Sequence, residues 1–251
     1  MAVDYAKAQQ CAAFSQEVYQ DFKGEIFAAW GDRVLISQAS TDTQCAILPR
    51  GTDLILVFRG SESSVDWKTD FDTRQDRAEF DKQVIRQEIA SQRDKVYPYA
   101  GSSSSGALMH RGFVNAYFSV REQIHESINR HEVSQVTVTG HSLGGALAIL
   151  CAVDIQYNFS EKVTVEVYTF GAPKVGNDGF RDSFNRRVPS SYHFIYGMDI
   201  VPELPRWWQG YRPVDQDFRI GPRFSWNFIS ARVKDHAIEK YISTLKTMAG
   251  Q

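Results

Sequence analysis

The chain has 251 residues, and its 28 Lys and Arg residues nearly balance its 30 Asp and Glu residues, which gives a formal net charge of -2. This length predicts a single domain of ordinary size, 1–251, with a substantial core. The scattered basic residues argue against a nucleic-acid partner, and the longest apolar run, 146–153, is far shorter than the ~20 residues of a transmembrane helix.

The N-terminal residues contain neither the basic nor the apolar region of a secretory signal. We therefore expect a cytoplasmic protein or the mature form of a secreted one. Three cysteines, Cys11, Cys45 and Cys151, allow at most one disulfide and lack the spacing of a metal site. Cys11 and Cys151 lie in apolar helical patterns and are expected to be core thiols. We expect a monomer.

Hydrophobic periodicity predicts strands that alternate with helices along most of the chain. The predicted elements, in order, are a helix at 4–22, strands at 33–40, 45–49 and 54–58, a helix at 112–130, a strand at 136–140, a helix at 142–157, a strand at 163–170, a helix at 176–186 and a strand at 192–196. Such alternation is typical of a mainly parallel sheet flanked by helices, an α/β fold.

The segment Gly-His-Ser-Leu-Gly at 140–144 joins a predicted strand to a predicted helix. Glycines at both ends let strand and helix approach closely, so that the turn can hold Ser142 in a strained conformation at its apex. The helix start offers unpaired N–H groups to a developing oxyanion. This pattern predicts a nucleophile elbow for acyl transfer, with Ser142 as the nucleophile.

His236 is the best candidate for the general base among the six histidines. His125 and His131 are assigned to a polar helix surface and its end. His193 is assigned to a strand interior, and His141 to the turn itself. His236 lies where a loop meets the last helix, after every strand, and such loops can aim a side chain over the carboxyl edge of a sheet.

A carboxylate that orients the base should follow a strand end. Asp199 follows the strand 192–196 and gives the order nucleophile, acid, base that α/β-hydrolases use. Asp178 precedes that strand, and the acids at 215 and 217 are assigned to a turn. Asp199 is therefore favoured, and the competing carboxylates are Asp178, Asp215, Asp217 and Asp235.

The oxyanion hole needs a second donor besides the backbone N–H of Leu143, from a loop after a neighbouring strand. Ser61 follows the strand 54–58 and offers both a backbone N–H and a hydroxyl. Gly60 lets the chain turn sharply over the elbow. The alternative is an exposed polar turn without a catalytic role.

Together these segments resemble the class 3 lipase family, which includes fungal triacylglycerol lipases and bacterial relatives. Trp67 and Asp70 match the tryptophan and aspartate of the family's short lid helix. The matching segments are spread over most of the chain, at 57–61, 67–70, 110–113, 140–146, 169–176, 199–202 and His236.

The resemblance implies an α/β-hydrolase fold without a metal or organic cofactor, and hydrolysis of carboxylic esters through an acyl-serine intermediate. His236 would deprotonate Ser142, protonate the leaving alcohol and then activate water. Asp70 would hold Ser61 in its oxyanion geometry.

The segment 62–109 is expected to form a lid and cap insertion. Its first part, 62–70, is largely polar where fungal members have an apolar lid, so we expect weak interfacial activation. The part at 73–109 is longer than the fungal segment, and a plain surface helix is the simpler interpretation of its periodic region. Aromatic residues could line an acyl crevice, form a membrane-facing rim or fill the core: Tyr97, Tyr99, Trp207, Trp208, Phe224, Trp226 and Phe228.

We therefore expect a lipase that cleaves acyl esters of lipids and contacts a lipid surface transiently. A phospholipase A1 or galactolipase would use the same triad, as would a feruloyl-type esterase. From other classes, an acyltransferase and a catalytically silent lipid-binding protein are the alternatives.

Overall fold

The computed structural model describes residues 3–60, 107–214, 216–222 and 234–250. Its helices and strands in chain order are α1 Tyr5–Glu17, α2 Glu25–Ala28, β1 Val34–Gln38, β2 Thr43–Arg50, β3 Asp53–Phe58, α3 Arg111–Arg130, β4 Gln135–His141, α4 Leu143–Phe159, β5 Thr164–Phe170, α5 Asp178–Arg187, β6 Ser191–Tyr196, β7 Asp217–Ile220 and α6 Ile238–Met248. Short 3-10 helices lie at Val18–Gln20, Val201–Glu203 and Trp207–Gln209.

The described strands form one sheet whose spatial order, β1 to β7, follows the chain. The pairs β1–β2 and β2–β3 are antiparallel, and the pairs from β3 to β7 are parallel. The predicted mainly parallel sheet is confirmed. Because β3, β4, β5 and β6 run in one direction, the loops that follow them leave the sheet at the same edge.

Helices cover both faces of the sheet. Alternate residues of a strand point to opposite faces, and the central strand β5 carries apolar side chains on both. Val165 and Val167 of β5 pack into the core formed with α3, α4 and α5. Tyr168 and Phe170 of the same strand pack into a second core with α1 and α6. Within the described residues, no helix combines the length and the apolar character needed to cross a bilayer.

The structure corrects two assignments made from the sequence. Asp217, assigned to a turn, is the first residue of β7 and pairs in parallel with His193 of β6. This four-residue strand has charged residues at alternate positions, so it lacks the apolar run that identified the other strands. His125, assigned to a polar helix surface, is buried against Asp154 of the neighbouring helix.

The predicted lid and cap at 62–109 lies outside the described residues except for 107–109. Those three residues are attached to the loop that follows β5. The backbone N–H of Leu108 donates to Oδ1 of Asn177 at 2.9 Å, and Met109 forms an isolated bridge with Gly176. The segment therefore ends beside the carboxyl edge of the sheet.

Candidate active site

Ser142 lies at the apex of a tight turn between β4 and α4. Its backbone angles, φ 57° and ψ -130°, are strained for a residue with a side chain. A Cβ at Gly140 would overlap the backbone of Gly144, and a Cβ at Gly144 would overlap the backbone of Phe58. Both glycines are therefore required for the close approach of strand and helix, as expected for a nucleophile elbow.

Ser142, His236 and Asp199 are joined in one chain of hydrogen bonds and are all buried. The distance from His236 Nε2 to Ser142 Oγ is 2.9 Å, and that from His236 Nδ1 to Asp199 Oδ2 is also 2.9 Å. Because an ionised carboxylate only accepts, Nδ1 carries the proton and Nε2 is left to accept the serine hydroxyl. This is the tautomer that a general base requires.

Asp199 is held by groups on three sides. Its backbone N–H donates to the carbonyl of Tyr196 at the end of β6, and its Oδ1 accepts the N–H of Val201, both at 2.9 Å. Its Oδ2 accepts from Tyr241 Oη as well as from His236. Burial and then the negative charge of Asp199 raise the pKa of Tyr241 well above its usual value, so this hydroxyl remains a donor.

The competing carboxylates have other contacts. Asp235 accepts the N–H of Met198 at 2.9 Å and pairs with Lys240 at 2.7 Å, so it anchors the loop that carries Asp199. Asp178 pairs with Arg181 at the start of α5. Asp217 begins β7, and Asp215 lies outside the described residues.

His141 supports the backbone of the candidate base. Its Nε2 donates to the carbonyl oxygen of His236 at 2.7 Å, so its Nδ1 accepts from the hydroxyl of Tyr19 at 3.0 Å. Burial, and then the nearby charge of a protonated His236, lower the pKa of His141 well below its ordinary value. His141 therefore remains neutral, and because both of its ring nitrogens bond groups other than Ser142, it is not placed to act as the base.

Of the two candidate oxyanion donors, Leu143 lies within the described residues and Ser61 does not. Leu143 is the first residue of α4, so its N–H has no partner within the helix and lies at the positive end of the helix dipole. Gly60, the last described residue after β3, faces the elbow: a Cβ there would lie 3.2 Å from Cβ of Ser142. Ser61 and the lid residues Trp67 and Asp70 lie outside the described residues.

Three residues of this site, Tyr241, Tyr19 and Gly171, were not predicted from the sequence. Gly171 directly follows β5, and its positive φ of 59° was not evident from the sequence. A Cβ there would lie 2.6 Å from Asp199 Oδ2 and 2.9 Å from His236 Nδ1. Tyr241 lies on the last helix, and no pattern in the sequence links it to Asp199, which is 42 residues away.

Among the described residues, no group of three or more His, Cys, Asp or Glu side chains is arranged to hold a metal ion. Cys11, Cys45 and Cys151 are buried and unpaired as disulfides. The groups that the structure brings together at the elbow are the serine, histidine and carboxylate chain and the N–H of Leu143.

Comparison with known proteins gives matches of both sequence and fold. A secreted mono- and diacylglycerol lipase of Fusarium solani is 32% identical over 131 residues, which are 46% of this chain and 38% of the relative. A chloroplastic phospholipase A(1) of Arabidopsis thaliana is 34% identical over 113 residues, 41% of this chain and 25% of the relative. The chain thus spans less than two fifths of the length of these curated relatives.

A solved triacylglycerol lipase, whose catalytic centre is described as a serine protease triad, aligns over 86% of this chain and 78% of its own with 25% identity and a TM-score of 0.60. The fold is that of the α/β-hydrolases. The family model for lipase (class 3) matches residues 55–208. Because this match covers more than half of the sequence, the chain belongs to the class 3 lipase family.

Proposed function

We propose that this protein is a lipase-like serine ester hydrolase that cleaves acyl esters of lipids. The observation that carries the proposal is the hydrogen-bonded chain from Ser142 through His236 to Asp199, at the apex of a strained elbow in a class 3 lipase chain. All three side chains come from one chain, so the site needs no second copy, and we propose a monomer.

In the acylation step, Ser142 Oγ attacks the ester carbonyl carbon while His236 Nε2 takes the hydroxyl proton. The tetrahedral oxyanion forms near the N-terminus of α4, where the N–H of Leu143 donates to it. Collapse breaks the bond to the leaving alcohol, which takes the proton from His236. Asp199 stabilises the imidazolium and keeps the ring in its orientation.

In the deacylation step, His236 takes a proton from water as the water oxygen attacks the acyl-serine carbonyl. The second tetrahedral intermediate collapses to release the carboxylic acid, and the proton returns to Ser142. No redox or metal chemistry enters either step, since each bond change is a proton transfer or an acyl transfer.

Ser61 is proposed as the second oxyanion donor, held by Asp70, with Trp67 in the lid. The support is that Gly60, its immediate neighbour, packs beside Ser142. We also propose that 62–109 is a lid and cap inserted in a single domain. The attachment of Met109 to the loop after β5 would bring the end of this insertion to the rim of the site.

Acylglycerols are the proposed substrates, because the fungal relative is named a mono- and diacylglycerol lipase and the solved neighbour a triacylglycerol lipase. A phospholipase A1 activity is the second candidate, supported by the Arabidopsis relative of 34% identity. The two functions share the chemistry at Ser142 and differ in the head group that the leaving alcohol carries.

The test is hydrolysis of p-nitrophenyl esters from acetate to palmitate, emulsified triolein and dispersed phosphatidylcholine, with Ser142→Ala alongside. We expect Ser142-dependent release of fatty acid from a lipid substrate, and a loss of at least about 10³-fold in kcat/KM in the variant. Preference for phosphatidylcholine over triolein would select the phospholipase. Absence of Ser142-dependent turnover on every ester would overturn the proposal in favour of a transferase or a binding protein.

A further inference from the structure

Trp207 and Trp208 are the most exposed large apolar side chains among the described residues. Their exposed fractions are 66% and 65%, whereas those of the next three, Ile26, Leu35 and Met248, range from 36% to 42%. Tryptophan contributes more apolar area than any other side chain and is highly buried on average. Two adjacent exposed indoles therefore indicate a surface that another phase or molecule covers.

The indoles project from an ordered turn at 206–212, which we call the tryptophan turn. A 3-10 helix, Trp207–Gln209, ends at Gly210, whose φ of 92° reverses the chain in open space. The N–H of Arg206 donates to Oε1 of Gln209 at 2.8 Å, and Arg212 donates to the carbonyl of Trp207 at 2.9 Å. The backbone that carries the exposed indoles is thus held in place before any partner binds.

The two indole rings also pack against each other. Their centroids are 5.9 Å apart with planes at 83°, an edge-to-face arrangement. The Arg206 guanidinium lies 5.6 Å from the centroid of the Trp208 ring. These contacts restrict the two side chains before a partner binds, which reduces the conformational entropy lost on contact.

The tryptophan turn lies at the same edge of the sheet as Ser142. The N–H of Arg212 in the turn donates to the carbonyl of Gly176 in the loop that follows β5, at 2.8 Å. Leu204, two residues before the turn, accepts the N–H of Lys174 in the same loop at 2.7 Å. That loop begins at Gly171, against the carboxyl of Asp199. A surface that binds the turn would therefore face the candidate active site.

The charges around the indoles suit a surface that carries phosphate groups. Arg206 and Arg212 flank the tryptophans, and no acidic residue lies within 206–212. Glu203 pairs with Arg206 at 3.4 Å, and Asp178 pairs with Arg212 at 3.3 Å. The side chains of Arg206 and Arg212 are 34% and 32% exposed, so both guanidinium groups beside the indoles are accessible to phosphate oxygens.

We propose that the tryptophan turn docks the protein on a phospholipid surface, with both indoles at the level of the head groups. Indoles prefer this level because their apolar ring and N–H are satisfied there together. A stable protein interface takes roughly 20–30 residues a side, many more than a projecting turn supplies. The inference rests on the proposed function, since docking here presents the carboxyl edge of the sheet to lipid.

The experiment measures partitioning into vesicles by co-sedimentation, using Ser142→Ala so that the lipid stays intact. Vesicles of phosphatidylcholine with 30% phosphatidylglycerol are compared with pure phosphatidylcholine. We expect Trp207→Ser/Trp208→Ser in this background to weaken binding at least tenfold. The control, Leu35→Ser/Met248→Ser, also removes two exposed apolar side chains but should bind normally. Arg206→Gln/Arg212→Gln should reduce the preference for the anionic vesicles.

Equal binding of the double tryptophan variant and its background would overturn the proposal. A second result would also overturn it: the background protein is a dimer that does not bind vesicles, and the double tryptophan variant is a monomer. The indoles would then join two copies of this chain. If Trp207→Ser/Trp208→Ser loses folding stability, Trp207→Phe/Trp208→Phe gives the same test. Brominated phospholipid should quench the tryptophan fluorescence of the Ser142→Ala background and quench that of the phenylalanine variant much less, and equal quenching of the two would overturn the proposal. Vesicle binding without ester hydrolysis by the unmodified chain would reject the enzyme while leaving the docking site intact.

Discussion

The hydroxyl of Tyr241 donates a hydrogen bond to Oδ2 of Asp199. This is the carboxylate oxygen that also accepts from Nδ1 of His236. Tyr241 is fully buried on α6, and its ring packs against Phe170, so its hydroxyl cannot turn to solvent. We infer that Tyr241 is a positioning residue that holds the carboxylate in line with the imidazole.

Replacing Tyr241 by Phe should lower kcat about tenfold and leave KM unchanged. A hydrogen bond to a charged group contributes about 1.5–3 kcal/mol, and about 1.4 kcal/mol of that in the transition state accounts for tenfold. Tyr168→Phe is the matched control, since it removes another buried hydroxyl that bonds a carboxylate, that of Glu166, away from the elbow. Equal kcat for the two variants would contradict the positioning role.

Gly171→Ala should reduce kcat by at least about 10²-fold, because the new methyl would separate Asp199 from His236. Gly51→Ala is the control for backbone strain. Gly51 has nearly the same φ, 60° against 59°, but an added methyl there meets no neighbouring atom. Steady-state kinetics on a soluble ester distinguish them. Normal turnover by the Gly171 variant would show that Asp199 and His236 can move apart without loss of activity.

A buried cluster joins α3 to α4 away from the candidate active site. Asp154 accepts hydrogen bonds from Tyr117 at 2.6 Å, from Arg121 Nε at 2.7 Å, from His125 at 2.8 Å and from Asn158 at 2.9 Å. Burial alone would raise the pKa of Asp154, but the contacts of His125 and Arg121 hold it below its usual value. The carboxylate therefore remains charged inside the core.

Asp154→Asn should lower the free energy of unfolding by about 3 kcal/mol, because it removes the negative charge that Arg121 and His125 contact inside the core. The control is Asp182→Asn, which breaks an exposed ion pair with Arg181 and should cost less than about 1 kcal/mol. Urea unfolding measures both. Equal losses in the two variants would mean that the buried cluster adds nothing beyond a surface pair.

Burial lowers the pKa of His193 from 6.5 to about 3, so the folded protein keeps this ring neutral where the unfolded chain binds a proton. Stability should therefore fall as the pH falls below 6.5. Between pH 7 and pH 4 this one residue accounts for about 3 kcal/mol, from about 1.4 kcal/mol per pH unit.

His193→Gln should remove this part of the pH dependence, while its amide can still contact Thr169, which bonds His193 at 2.8 Å. Other buried histidines contribute in the same direction, His110 among them with a pKa lowered to about 4. The measured quantity is thus the difference between the two proteins in urea unfolding at each pH. If the free energy of unfolding changed with pH in the same way in both proteins, His193 would not be a neutral ring in the folded state.

The elbow and the order of the triad candidates were accessible from the sequence because each depends on a local signal. Gly140 and Gly144 flank Ser142 within five residues, and Asp199 directly follows an apolar strand. The order of elements between β1 and β6 was predictable for the same reason, since apolar runs and helical stripes are properties of contiguous residues.

Contacts between distant elements had no such signal. His125 has a polar helical neighbourhood, and its burial depends on Asp154, which lies on another helix. Tyr241 reaches Asp199 across 42 residues. Asp217 was assigned to a turn because a four-residue strand with alternating charges is defined by its pairing with β6 and not by its composition.

The most direct test of the account is labelling with a fluorophosphonate, followed by mass spectrometry of the peptides and by ester hydrolysis on the same sample. We predict one phosphonylated residue, Ser142, hydrolysis that falls in proportion to its labelling, and at least about 10²-fold slower labelling of His236→Ala. Labelling at another residue, or full hydrolysis after Ser142 is completely modified, would contradict it.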